Sequence, residues 1–111
     1  MLVSRSSPFG GHTRTLVLLA LSLLDESFPR ELARLIEVSI NGVQQALRGL
    51  EVDGLVGARS AGRTRLYRLN PRYFARRELE SYLKRLASAE AELLEGTARL
   101  RRRPRRSGKP R

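Results

Sequence analysis

The stretch that decides the fold runs from Leu32 to Val56 and reads LARLIEVSINGVQQALRGLEVDGLV. Its apolar residues recur at helical spacing on both sides of Glu37, which predicts two amphipathic helices joined by a tight turn. Ser39 is a residue type that favours the N-cap, so the second helix is predicted to begin there. Gly54 follows it, at a place where helices often end with a residue of positive φ. The second helix is predicted to bury these residues: Val43, Leu47 and Leu50.

A second apolar segment precedes this stretch. Leu16–Leu24 (LVLLALSLL) is apolar on all sides, which predicts a buried helix that Thr13 or Thr15 would cap. Phe28–Pro29 then begins the first helix of the quoted stretch, because Pro is favoured at the first helical position. The apolar segment is too short for a membrane span of about 20 residues. Two acidic residues come directly after it and it has no A-x-A-like cleavage site, so a signal peptide is disfavoured.

The hydrophobic periodicity changes from helical to alternating after the second helix. Val56–Ser60 and Thr64–Leu69 (TRLYRL) are predicted to form a β-hairpin whose turn lies at Ala61–Gly62. Because successive side chains of a strand point to opposite faces, Tyr67 is predicted to face inward and Arg68 outward. The hairpin would therefore show arginine side chains to the solvent.

The last predicted element is one long helix from about Phe74 to about Leu100. Its Leu residues form a broken stripe at helical spacing, and Pro104 ends any helix. At 1.5 Å per residue this helix would be about 40 Å long. This helix would extend beyond the rest of so small a domain, so its far end would have to pack against another partner.

These elements place the chain in the α+β class, mainly α with a small β-hairpin. We expect a three-helix core, the hairpin and a long C-terminal helix. The predicted boundaries are a flexible lead (1–12), a compact domain (13–72), the long helix (73–100) and a disordered basic tail (101–111).

The charge of the chain is strongly positive and unevenly distributed. Its 111 residues include 22 Lys and Arg against 11 Asp and Glu, a net charge of +11 and a pI of about 11.5. Arg99–Arg111 carries eight of the basic residues and no acid, which leaves residues 1–98 with a net charge of +3. Gly54–Arg77 holds seven arginines and no acid. Such a charge predicts a polyanionic partner, and the arginines inside a folded segment are the more informative share.

Several classes of protein are excluded by composition. There is no Cys and a single His, His12, so no thiolate metal site, multi-histidine site or cysteine nucleophile is possible. No residue pattern provides another nucleophile, an acid–base pair or a phosphate-binding loop. We therefore expect no catalytic activity, no cofactor and no metal, and no pattern indicates an effector.

The order helix, helix, tight turn, helix, hairpin resembles winged helix-turn-helix regulators of the ArsR and MarR type over about residues 13–88. The resemblance is closest to bacterial winged-helix domains that occur alone or fused to nucleotidyltransferases. The matching residues are Arg30, Leu32, Ala33, Val43, Gln44, Leu47, Leu50, Gly54, Leu55, Gly62, Arg63, Tyr67, Asn70 and Pro71. Glu37 stands where Gly is often found, so we expect a wider turn. The Cys and His clusters of the metal-sensing relatives are absent from the sequence, so the resemblance does not imply that this protein senses metals.

The resemblance implies that the recognition helix, residues 39–50, enters the major groove of DNA and that the wing, residues 56–69, contacts the minor groove or phosphates. On the recognition helix, the residues expected to contact DNA are Ser39, Ile40, Asn41, Gln44, Gln45 and Arg48. On the wing they are Arg59, Arg63, Arg65 and Arg68. The plainer interpretation of the helix residues is a solvated face, which the helix-turn-helix scaffold disfavours. The plainer interpretation of the wing is a solubilising hairpin, which the acid-free stretch disfavours.

The resulting hypothesis is a cytoplasmic bacterial regulator that binds double-stranded DNA as a homodimer, with no membrane association. In similar regulators the last helix often forms the dimer interface, so dimerisation is assigned to Leu86, Leu93 and Leu94. The resemblance also favours a repressor. The alternative is a winged-helix protein-interaction module whose basic tail binds RNA or another polyanion.

Overall fold

The computed structural model describes residues 9–101, apart from the side chains of residues 91–94 and 101. Within these residues the chain forms five helices and one antiparallel hairpin. They follow one another as α1 (His12–Leu24), α2 (Pro29–Ile36), α3 (Ile40–Val52), β1 (Val56–Ala61), β2 (Thr64–Leu69), α4 (Arg76–Ala87) and α5 (Ala91–Arg101). The predicted α+β class is confirmed.

Helix α1 lies at the centre because it is apolar on all sides. Every residue from Thr15 to Leu21 is buried, and α1 packs against all four other helices and β2. The helix begins at His12, upstream of the predicted apolar run, and its N-cap Gly11 offers no side-chain cap. The predicted caps Thr13 and Thr15 are therefore wrong. The Thr15 hydroxyl instead donates to the Gly11 carbonyl at 3.2 Å, which satisfies its buried polar group. Across residues 9–101, none of the helices combines the length and the hydrophobicity that a membrane span requires.

The turn between α2 and α3 is tight. Glu37 adopts φ 59° and ψ 47°, the left-handed conformation that a glycine would take at this position, and its N–H donates to the Ala33 carbonyl. The expectation of a wider turn is wrong, because Glu37 takes the left-handed conformation and only residues 37–39 connect the two helices. Ser39 caps α3 as predicted: its Oγ accepts a hydrogen bond from the Gly42 N–H at 3.0 Å.

The wing is a two-stranded hairpin whose register pairs Val56 with Leu69 and Ala61 with Thr64. Its turn lies at Gly62–Arg63, one residue beyond the predicted position, and Gly62 has a φ of 66° that suits a tight hairpin turn. Tyr67 faces the core as predicted. On the other edge of β2, Ser27 exchanges two backbone hydrogen bonds with Tyr67, of 3.0 and 2.7 Å. These bonds fix the wing against the connection between α1 and α2.

The prediction of a single long C-terminal helix is wrong, because α4 and α5 are separate helices. The chain turns at residues 88–90, where the N–H of Ala89 and of Glu90 donate to carbonyls of the last turn of α4. Helix α5 then folds back and packs against α1 and α2. The reason is burial: Thr97 is 3% exposed and Gly96 lies against Leu35, contacts that a straight helix would lose to the solvent.

Candidate nucleic-acid interface

The outward face of α3 carries the residues predicted for it. Its other face is buried through Val43, Ala46, Leu47 and Leu50. The six predicted contact residues on α3 and its N-cap are all exposed: Ser39, Ile40, Asn41, Gln44, Gln45 and Arg48. The Ser39 oxygen accepts a bond from the backbone within the cap, and its hydroxyl proton can still be donated outward. The helix therefore presents a polar surface with one apolar side chain, Ile40, which is 39% exposed.

An open groove of about 600 Å³ lies between α3, the start of α2 and the wing. Helix α3 contributes Ile40, Gln44, Arg48 and Glu51 to its lining, and the wing contributes Arg63, Thr64, Arg65 and Tyr67. The start of α2 and the residue before it contribute Phe28, Pro29 and Arg30. The fold thus brings five of the predicted residues from two separate elements around one concave surface. Ser39, Asn41 and Gln45 are exposed nearby but do not line the groove.

The lining of the groove is basic. It holds four arginines (Arg30, Arg48, Arg63 and Arg65) and, within the described part of the chain, a single acid, Glu51. The salt bridges found in residues 9–101 involve none of Arg30, Arg48 and Arg63. These guanidinium groups are exposed and can be offered to an anion. Their common position gives the groove a positive potential.

Arg65 is the arginine of the groove that already has partners. Its Nη2 donates to Oε2 of Glu51 at 3.2 Å, and its Nε donates to the hydroxyl oxygen of Tyr67 at 3.4 Å. The guanidinium carbon also lies 5.7 Å from the centroid of the Tyr67 ring. The hydrogen bond to Tyr67, followed by the electrostatic interactions with Tyr67 and Glu51, raises the pKa of Arg65 above its usual value. Arg65 therefore keeps its charge and is aimed across the groove from the wing.

Two predicted wing residues lie outside the groove. Arg59 donates to both carboxylate oxygens of Glu26, at 2.8 and 3.1 Å, and this hydrogen-bonded pair raises the pKa of Arg59. The cross-strand partner of Arg59 is Leu66, so the arginine crosses β2 to reach Glu26. Leu66 itself is 8% exposed and lies outside the main core. Arg68 lies in a separate hollow of about 420 Å³ against α1 and α4.

Several residues of the groove were not identified from the sequence. Arg30 follows Pro29 in the first turn of α2, and only the packing of α2 on α3 brings it to the groove. Glu51 could have been identified, because it lies seven residues after Gln44 and so shares its helix face. Phe28, Pro29, Thr64 and Tyr67 complete the lining, and no pattern in the sequence marks them as contact residues.

The residues assigned to dimerisation are placed only in part. Leu86 is 8% exposed and belongs to the core of this chain. The side chains of Leu93 and Leu94 lie outside the described residues. The role of these three residues in dimerisation stays a prediction.

The described side chains show no cluster of three or more His, Cys, Asp or Glu that could hold a metal ion. The groove offers hydrogen bonding and charge through guanidinium donors, the Gln44 amide and the hydroxyls of Thr64 and Tyr67, and it offers an apolar contact at Ile40. This set suits the edges of bases and the phosphates of a nucleic acid.

Comparison with known proteins supports the winged helix-turn-helix arrangement of this chain. No protein-family model matches the sequence, and no curated protein matches it. Among solved structures, reduced HlyU from Vibrio cholerae matches with 29% identity and a TM-score of 0.58, over 71% of this chain and 77% of that one. Two structures of Lactococcus lactis ZitR variants match with 20% and 18% identity and TM-scores of 0.60 and 0.54. They cover 90% and 86% of this chain, and 66% and 70% of those chains.

HlyU and ZitR are winged-helix transcription regulators of the ArsR/SmtB group. The likeness to HlyU extends to sequence, whereas the likeness to ZitR concerns the fold alone. The matches confirm the resemblance inferred from the helix-turn-helix residues and the wing: this chain has the winged helix-turn-helix fold of these regulators.

Proposed function

We propose that this protein is a transcriptional regulator that binds specific sequences of double-stranded DNA as a homodimer in the cytoplasm. The observation that carries the proposal is the groove, where polar residues of α3 and two arginines of the wing, Arg63 and Arg65, line one concave, positively charged surface. The structural neighbours of this protein, HlyU and ZitR, are transcription regulators, and this supports the same function.

The proposed division of labour follows from the chemistry of each element. Asn41, Gln44 and Gln45 are amides that can pair with adenine in the major groove, and Ile40 can contact a thymine methyl group. Arg63 at the wing tip and Arg65 suit phosphates or a narrow minor groove. The repressor role is part of the proposal and rests on the resemblance, since a bound regulator blocks a promoter by occupying it.

A mobility-shift titration across salt concentrations tests duplex binding. We expect the logarithm of the affinity to fall linearly with the logarithm of the salt concentration, with a slope of about −0.9 per phosphate contacted. Absence of binding at low salt, or an affinity that does not respond to salt, would contradict the proposal.

The contribution of the exposed face of α3 and the wing tip is tested with a triple variant, Gln44→Ala, Gln45→Ala and Arg63→Ala. Gln44 and Arg63 line the groove, and Gln45 is exposed beside it. We expect it to lose at least about tenfold in affinity for a selected operator, because one good bidentate base contact alone contributes about 1–3 kcal/mol. Arg85→Ala is the control, because Arg85 is exposed on α4 and lines neither hollow. The operator itself comes from selection of bound genomic fragments. In a dimer its two half-sites should be about 34 Å apart, one helical turn.

A further inference from the structure

Glu51 occupies an unexpected place for an interface that binds a polyanion. It is the single acid lining the groove within the described part of the chain, and it lies on the same face of α3 as Gln44 and Arg48. Its carboxylate is also the ion-pair partner of Arg65, at 3.2 Å. A negative charge at this position repels any phosphate that approaches the arginines of the groove.

The contact between Arg65 and Glu51 is open to competition. The side chains are 55% and 39% exposed, and an exposed pair of this kind contributes little to stability. A DNA phosphate offers a guanidinium the same type of charge-assisted hydrogen bond as a carboxylate does. Tyr67 would hold Arg65 during the exchange, because its hydrogen bond and its ring contact do not involve Glu51.

We propose that Glu51 is an internal competitor for Arg65 that sets the affinity of the groove for DNA. In the free protein Glu51 takes the position of a phosphate, and a duplex must displace it to reach Arg65. Contacts to phosphate alone then bind more weakly than four arginines would otherwise allow, so productive binding depends more on base contacts by α3. This inference rests on the proposed function.

The test compares full-length Glu51→Gln with the unsubstituted protein on a mixed-sequence duplex of about 30 base pairs, about three helical turns. We expect Glu51→Gln to bind about three- to tenfold more tightly at about 50 mM salt, since a nearby repulsive charge is removed and Arg65 is freed. The slope of affinity against salt should steepen by up to about 0.9, the value for one further phosphate.

Glu78→Gln is the matched control, because it removes the same charge from an exposed position on α4 that lines neither hollow. We expect it to change affinity less than twofold, and thermal unfolding followed by circular dichroism checks that both variants are folded. Weaker binding by Glu51→Gln would show that Glu51 positions Arg65 and would overturn the inference. Equal gains from both variants would overturn it too, because net charge would then explain them. If the unsubstituted protein fails to bind duplex DNA at low salt, the proposed function itself fails.

Discussion

Glu37 holds a backbone conformation that favours glycine, with φ at 59° and ψ at 47°. A residue with a Cβ is strained there, at a cost of order 1 kcal/mol. We expect Glu37→Gly to raise the free energy of unfolding by about 0.5–1 kcal/mol, measured by urea denaturation, since the strain is relieved and an acid is removed from the C-terminus of α2.

The control for this change is Arg34→Gly, which places glycine inside the same helix at an exposed position. It should lower the free energy of unfolding by about 1 kcal/mol, because glycine is a poor helix former. A loss of stability in both variants would show that Glu37 is not strained. At this scale the sequence marked Glu37 as unusual for the turn. The sequence did not show whether the turn would lengthen or Glu37 would adopt a strained conformation, because both outcomes satisfy the same pattern.

At the scale of elements, the packing of α5 on α2 leads to a prediction about stability. A Cβ built at Gly96 would lie 2.7 Å from Cδ1 of Leu35, so α5 approaches α2 closely at this residue. We expect Gly96→Leu to lower the free energy of unfolding by about 1–2 kcal/mol, because overpacking exceeds the gain in helix propensity. Glu95→Leu, at the neighbouring exposed position, should change it by less than about 0.5 kcal/mol. Equal stability of the two variants, by thermal unfolding, would contradict the docking of α5 on α2.

The elements that the sequence predicted well are those whose signals are local. The cap at Ser39, the first turn at Pro29 and the positive φ of Gly54 each depend on one residue type in one place. The break at residues 88–90 depends on tertiary packing, because α5 gains its contacts only by folding back on α1 and α2. The same holds for Arg59, whose pairing with Glu26 joins residues far apart in the chain. The sequence pattern of one helix or strand does not reveal the packing of α5 or the pairing of Arg59 with Glu26.

At the scale of the whole molecule, part of the positive charge lies in the groove and part in the C-terminal residues 102–111. Residues 102–111 carry six Lys and Arg, and four arginines line the groove. Phosphate contacts add affinity without sequence information, and base contacts add specificity. The two parts of the charge should therefore have separable effects on binding.

We expect deletion of residues 102–111 to weaken binding to operator and to mixed-sequence duplex by the same factor. The slope of affinity against salt should fall by about 0.9 for each tail residue that contacts a phosphate. The ratio of the two affinities should be unchanged, because the tail reads no base edges. The triple variant of Gln44, Gln45 and Arg63 should behave in the opposite way and lower the ratio. If the deletion instead abolishes all duplex binding while the triple variant has no effect, the groove is not the DNA interface. The interaction module with a polyanion-binding tail would then be the better description of this protein.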